Sequence, residues 1–170
     1  MSVDPQKVKK LVAEVVREVL ARRGNRTSVA IGSDHGGFEL KERLRATLEG
    51  KGLTVLDLGC HSKEPCDYPD FAKAVAQAVL RGTCEKGIMI DGAGIGSSIV
   101  CNRFPGIRAA LCYDMKTVLN SRQHNNANVL TLGAGTNPPE VVEEMVLAWL
   151  ATPFEGGRHQ RRVDKMERDA

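Results

Sequence analysis

No apolar run in the chain approaches the ~18 residues needed to cross a bilayer. The N-terminus carries lysines but no apolar centre of a secretion signal. A membrane partner and export are therefore not expected, and the chain reads as cytoplasmic. Aromatic residues make up only 4%, too few for the stacking platforms that hold single-stranded nucleic acid. Charge of one sign is lacking too. The net charge is +3, spread along the chain apart from a C-terminal cluster, so no nucleic-acid partner is expected. The five cysteines, Cys60, Cys66, Cys84, Cys101 and Cys112, are odd in number and form no C-x-x-C pair. That argues against a disulfide framework and a zinc site, and predicts reduced thiols that serve as small core residues.

What is present is alternation. Apolar runs at 28–33, 53–59, 86–91, 106–112 and 127–133 are rich in Val, Ile and Leu and end in Gly, Asp or Ser. They read as five buried strands. Helical patterns lie between them, at about 37–50, 69–81, 96–103, 114–123 and 138–151. Continuous apolar strands alternating with helices predict a parallel sheet covered on both faces. The expected fold is α/β, a Rossmann-like three-layer αβα sandwich with a five-stranded parallel sheet, and ligands belong at the carboxyl ends of its strands. The domain at 27–170 carries this pattern. Residues 1–26 stand apart as an amphipathic helix (4–24) and a linker. Asp4 and Pro5 suit its start, and Val8, Leu11, Val12, Val15, Val16, Val19 and Leu20 form one apolar face.

The chemistry concentrates in "MIDGAGIGSSI" (89–99), where Gly92, Gly94 and Gly96 follow the third strand. A glycine-rich turn into a helix presents bare N–H groups to an anion. The spacing is G-x-G-x-G rather than the dinucleotide G-x-G-x-x-G. Only Asp114, about 20 residues on, favours a nicotinamide reading, in which it would hold a ribose. A carboxylate at the entrance, Asp91, makes sense if it takes a proton from substrate while loop amides stabilise the oxygen charge that develops. Read alone, Asp91 is equally a helix cap. Further polar clusters stand elsewhere: Asp34 and His35 after the first strand, His124 and Asn125 before the fifth, and Arg158, His159, Arg161 and Arg162 in the tail. Arg158 and Arg162 share a helix face and suit a phosphate.

At these residues the chain resembles type B ribose-5-phosphate isomerases and the related galactose-6-phosphate isomerase subunits. The resemblance rests on "IGSDHGGFELKERL", "DYPDFAKAVAQAV", "GIMIDGAGIGSSIVCNRFPGIRAALC", "SRQHNNANVLTLGA" and "FEGGRHQRRV", in family order over residues 28 to 165. It implies an isomerase of carbohydrate metabolism that interconverts ribose 5-phosphate and ribulose 5-phosphate through a cis-enediolate, with no metal and no organic cofactor. It also implies a homodimer or tetramer with active sites shared between subunits. Carried over by position, Asp91 is the base, and Asp34, His35 and His124 bind or open the sugar ring. Tyr68 and Asn125 line the pocket, Gly92, Gly94 and Gly96 cradle the enediolate with Ser97 in the same loop, and Arg158, His159 and Arg162 hold the phosphate.

Three departures qualify this. Many relatives have a cysteine base where this chain has Asp91, and another branch has a glutamate where it has Ser97. A common loop threonine is Ala93. An arginine expected to contact phosphate is Gly135, which leaves open another aldose phosphate, such as allose or galactose 6-phosphate. A non-catalytic sugar-phosphate binder is the reading from another class. The added N-terminal helix resembles peptides that address enzymes to bacterial microcompartments, implying a shell-protein partner; the other reading is packing on its own domain or its dimer mate.

Overall fold

The computed structural model describes residues 28–168. The helix expected at 4–24 and its linker lie outside the described residues. Five strands alternate with six helices in order: β1 (Ser28–Ser33), α1 (Phe38–Gly50), β2 (Thr54–Asp57), α2 (Tyr68–Leu80), β3 (Lys86–Asp91), α3 (Ile95–Cys101), β4 (Ala109–Leu111), α4 (Met115–Gln123), β5 (Val129–Gly133), α5 (Pro139–Ala151) and α6 (Arg158–Arg168). All strand pairs are parallel, and the sheet order is β2-β1-β3-β5-β4. No described helix is long and apolar enough to cross a membrane.

Successive strand residues face opposite sides of a sheet, and the apolar runs divide accordingly. Val29, Ile31, Ile88, Ile90, Leu130 and Leu132 pack with Leu44 and Leu48 of α1 and with Met145 and Trp149 of α5. Ala30, Met89 and Val129 meet Ala72, Val75 and Ala76 of α2, with Cys101 of α3. Each face thus buries its own core, giving the three-layer sandwich expected. Trp149 is fully buried, and its indole N–H donates to Ser121 Oγ at 3.2 Å, which satisfies the polar end of an otherwise apolar ring.

The three central strands β1, β3 and β5 are the buried ones. The edge strands β2 and β4 are short and only partly covered, in contrast to the expectation of five buried strands. The run at 106–112 shortens to β4 because its first residues belong to a turn. Gly106 adopts φ +89°, Ile107 N–H bonds back to Phe104, and Asn102 takes both polar groups of Ala109 through its side chain. The helices run antiparallel to the strands. The loops that leave the strands, and the starts of α1 to α5, therefore lie at one end of the sheet. The ends of those helices lie at the other.

Candidate active site

At the carboxyl end, β1 and β3 are neighbours whose chains depart in opposite directions, which opens a crevice between their loops. Asp34 N–H donates to Ile90 O at 3.1 Å, and its Oδ1 accepts from Gly37 N–H at 3.0 Å. This turn fixes the approach of His35, whose Nδ1 accepts from Cys66 N–H at 3.2 Å. Tyr68, the first residue of α2, lies against the glycine loop. A Cβ on Gly96 would fall 2.5 Å from its ring.

Asp91 is nearly buried, at 6% exposure, and its carboxylate organises the loop that follows. Oδ1 accepts from Ala93 N–H at 2.8 Å and from Gly94 N–H. Oδ2 accepts from Ser97 N–H at 3.0 Å and Ser97 Oγ at 2.5 Å. Four donors fill the roughly four acceptor sites of a carboxylate. Burial pushes the carboxyl upward, but the Ser97 hydroxyl and the amides of Gly94, Ser97 and Ala93 outweigh it and hold Asp91 below its ordinary value of 3.8. Asp91 is thus ionised at neutral pH and caps its own loop.

The loop closes this way because Gly94 sits at φ +78°, where a Cβ would also meet Leu111 Cδ1 at 2.6 Å. Ala134 N–H and Gly135 N–H clamp it from β5 by donating to Asp91 O and Gly92 O at 2.8 and 3.3 Å. Tyr113 OH donates to Ala93 O at 3.0 Å. Gly94, expected to offer its amide to substrate, gives it to Asp91 instead. The amides of Gly92, Ile95 and Gly96 make no hydrogen bond among the described residues. Asp114 accepts from Thr117 N–H at 2.7 Å and caps α4, which removes the feature that favoured a nicotinamide reading.

The remaining candidates gather at the opposite end of the sheet. His124 ends α4 and stacks face to face on His159 of α6, with ring centroids 4.1 Å apart and planes 3° from parallel. Arg158 Nε donates to His159 Nε2 at 3.3 Å. Glu155 Oε2 lies 3.7 Å from His124 Nε2 and 3.8 Å from His159 Nε2. Burial, with the neighbouring His124, Arg158 and Arg162, lowers His159 below its ordinary 6.5 against the opposing pull of Glu155. Arg122 staples this region to the end of α5, with Nε donating to Thr152 O at 3.3 Å and Nη1 to Asn126 Oδ1 at 3.1 Å. Arg162 follows one turn after Arg158 and is exposed with it.

His124, Glu155 and His159 are the cluster among the described residues whose ligand atoms come near enough for a metal. The donors suit one poorly. Parallel stacked rings cannot both aim in-plane lone pairs at one ion, Arg158 already occupies His159 Nε2, and Arg158 and Arg162 repel a cation. The same features suit an anion.

The Ribose/Galactose Isomerase family matches residues 29–166. The chain belongs to this family. The ribose-5-phosphate isomerase B of Escherichia coli is 46% identical over 136 residues, which are 80% of this chain and 91% of the relative. A D-erythrulose-4-phosphate isomerase of Pectobacterium atrosepticum is 41% identical over 143 residues, 82% of this chain and 92% of that one. The crystal structure of a Thermotoga maritima ribose 5-phosphate isomerase superposes with a TM-score of 0.82 at 45% identity, covering 84% of this chain and 99% of that one. As a member of the ribose/galactose isomerase family, the chain keeps the family's αβα fold. Within it, Asp34, His35, Tyr68 and residues 91–97 stand at one end of the sheet, and His124, Arg158, His159 and Arg162 at the other. Asn120 and Glu155, which the sequence reading passed over, belong to the second cluster. Asn120 lies four residues before His124 on one helix, a spacing that places the two side chains together.

Proposed function

We propose that the protein is an aldose–ketose isomerase that interconverts ribose 5-phosphate and ribulose 5-phosphate, using no metal or organic cofactor. One observation carries this reading. An ionised, nearly buried carboxylate stands beside three unengaged loop amides, the pairing that proton removal next to a carbonyl demands. Asp91 takes the C2 proton on Oδ2 as the Ser97 hydroxyl rotates away. That hydroxyl is the one donor of the four that is not a backbone amide. The C–H electrons become the C1–C2 double bond, and the amides of Gly92, Ile95 and Gly96 hold the enediolate oxygens. The carbonyl electrons move to O1, the hydroxyl proton passes from O2 to O1, and Asp91, its proton exchanged with solvent, protonates C1 as the carbonyl forms at C2, giving the ketose.

Ring opening falls to Asp34 and His35 with His124, and phosphate binding to Arg158, His159 and Arg162. Because these groups divide between the two ends of one sheet, a complete site takes one cluster from each of two copies. Exposed Ile95, Ile99, Tyr113 and Met115 beside the glycine loop support a second copy packed there. The test is mixing. Asp91→Asn and His124→Ala homodimers are each inactive, whereas subunit exchange leaves half the chains in heterodimers with one intact site, restoring about a quarter of wild-type turnover. No recovery after verified exchange overturns the shared site.

Gly135 favours a second substrate reading within the same chemistry. Without an arginine there, the phosphate is held by fewer cations, so hexose 6-phosphates and the four-carbon substrate named for the Pectobacterium relative belong in the assay panel. The segment at 4–24 supports a reading as an address for a microcompartment shell. A fluorescent protein carrying residues 1–26 tests it by co-localising with shell proteins or staying dispersed.

A further inference from the structure

His124 ends α4 with its Nδ1 turned back along the helix, 2.9 Å from Asn120 Nδ2. Which of these two nitrogens carries the hydrogen is settled by a third side chain. Asn125 Nδ2 lies 3.3 Å from the main-chain oxygen of Asn120 and 3.2 Å from Asn120 Oδ1. A carbonyl oxygen only accepts, so the atom of Asn125 that faces it is the amide nitrogen. That nitrogen also meets the Asn120 side chain, whose facing atom must then be its oxygen. The Asn120 nitrogen is left facing His124. An amide nitrogen only donates, so Nδ1 of His124 accepts.

We infer that Asn120 is a positioning residue that, oriented by Asn125, fixes the proton of neutral His124 on Nε2, so that the ring offers substrate a hydrogen-bond donor. This rests on the proposed reading that His124 faces a sugar phosphate. The charged surroundings agree. Glu155 Oε2 stands 3.7 Å from Nε2 and favours a hydrogen on that atom. His159 covers the ring face. Arg158 is engaged with His159 Nε2, and Arg162 lies on the same helix, α6. Arg122, on α4 itself, points to Thr152 O and Asn126 and leaves Nδ1 to Asn120. The donor on Nε2 is offered to the ring oxygen of the sugar, in keeping with the ring-opening part proposed for His124.

The experiment replaces Asn120 with Asp, which has the same shape but faces Nδ1 with an acceptor while still accepting from Asn125. Long-range proton–nitrogen NMR of the full-length, nitrogen-15-labelled enzyme in alkaline buffer, where the imidazole is neutral, reads the tautomer directly. The expected result is Nε2–H for wild type and Nδ1–H for Asn120→Asp. Turnover of ribose 5-phosphate is expected to fall about a hundredfold in kcat, with KM changing far less. Asn120→Ala, which offers Nδ1 nothing, is expected to show mixed tautomers and an intermediate loss. Nδ1–H in wild type, or unchanged kcat in Asn120→Asp with its tautomer reversed, overturns the inference. Wild-type Nε2–H in a protein that turns over no aldose phosphate supports the tautomer assignment and overturns the isomerase reading instead.

Discussion

Replacing Asp91 with Asn keeps the shape and volume of the side chain and removes its charge, which separates the carboxylate's two roles. In the wild type, four donors converge on two acceptor oxygens. An amide offers one acceptor oxygen. With that oxygen in the Oδ1 place, Ala93 and Gly94 keep their bonds, while the new NH2 group meets the buried N–H of Ser97 donor to donor. The Ser97 hydroxyl can turn to accept; its amide cannot. One buried orphan costs about 1–3 kcal/mol, and the surviving bonds lose their charge assistance, for a total of about 2–4 kcal/mol. In a domain of this size that lowers Tm by roughly 5–15 °C. Thermal unfolding by near-UV circular dichroism at neutral pH measures it. Because the folded carboxyl lies below 3.8, its contribution is full above that value and is lost as pH falls through the folded pKa. The gap between wild type and variant must therefore narrow in acid. An Asp91→Asn protein that melts with the wild type, or a gap that ignores pH, refutes the capping network.

Four other outcomes follow from the same geometry. Ser97→Ala removes the hydroxyl that helps lower Asp91, so the acid limb of the kcat/KM profile moves to higher pH; an unmoved limb means Asp91 is not the group titrating. Gly96→Ala puts a Cβ 2.5 Å from the Tyr68 ring, so the ring must move and turnover should fall in steady-state assays; unchanged turnover means that the place of Tyr68 does not matter to the reaction. Gly135→Arg, whose Cβ meets only Gly92 O at 3.6 Å, should fold normally and lower KM for phosphorylated substrates. His159 binds its proton more weakly in the folded than in the unfolded chain, so stability falls as pH drops below about 6.5; denaturant midpoints of His159→Gln should show a flatter dependence there.

The layers of this fold are legible in the sequence because burial on both faces makes the middles of β1, β3 and β5 mainly apolar. The order of β5 and β4 is not. It is a long-range property, β5 lying between β3 and β4, and Asn128 joins the segments that lead into β4 and β5 by accepting from Arg108 N–H at 2.8 Å and donating to Gly106 O at 2.8 Å. Asp91 illustrates a different limit. Cap and base have the same sequence signature, and only the closure of the loop at Gly94 brings four donors onto the carboxylate. The division of the site between the ends of the sheet follows from residues standing after β1 and β3 or before β5. The four-residue spacing of Asn120 and His124 is legible in the sequence, whereas which of their atoms face each other needed the amide orientations. The distinction between Gly94 and its neighbours Gly92 and Gly96 was likewise hidden, since all three glycines look alike until their amides acquire partners.

The most direct test of the central claim is isomerisation of ribose 5-phosphate in deuterated water, followed by proton NMR of the product, for wild type and Asp91→Asn. The account predicts ribulose 5-phosphate with deuterium at C1, formed by the wild type and lost in the variant. Full turnover by Asp91→Asn would contradict Asp91 as the base. Failure of the folded wild type to convert ribose 5-phosphate would contradict the proposed substrate, and failure across the whole aldose phosphate panel would contradict the isomerase itself.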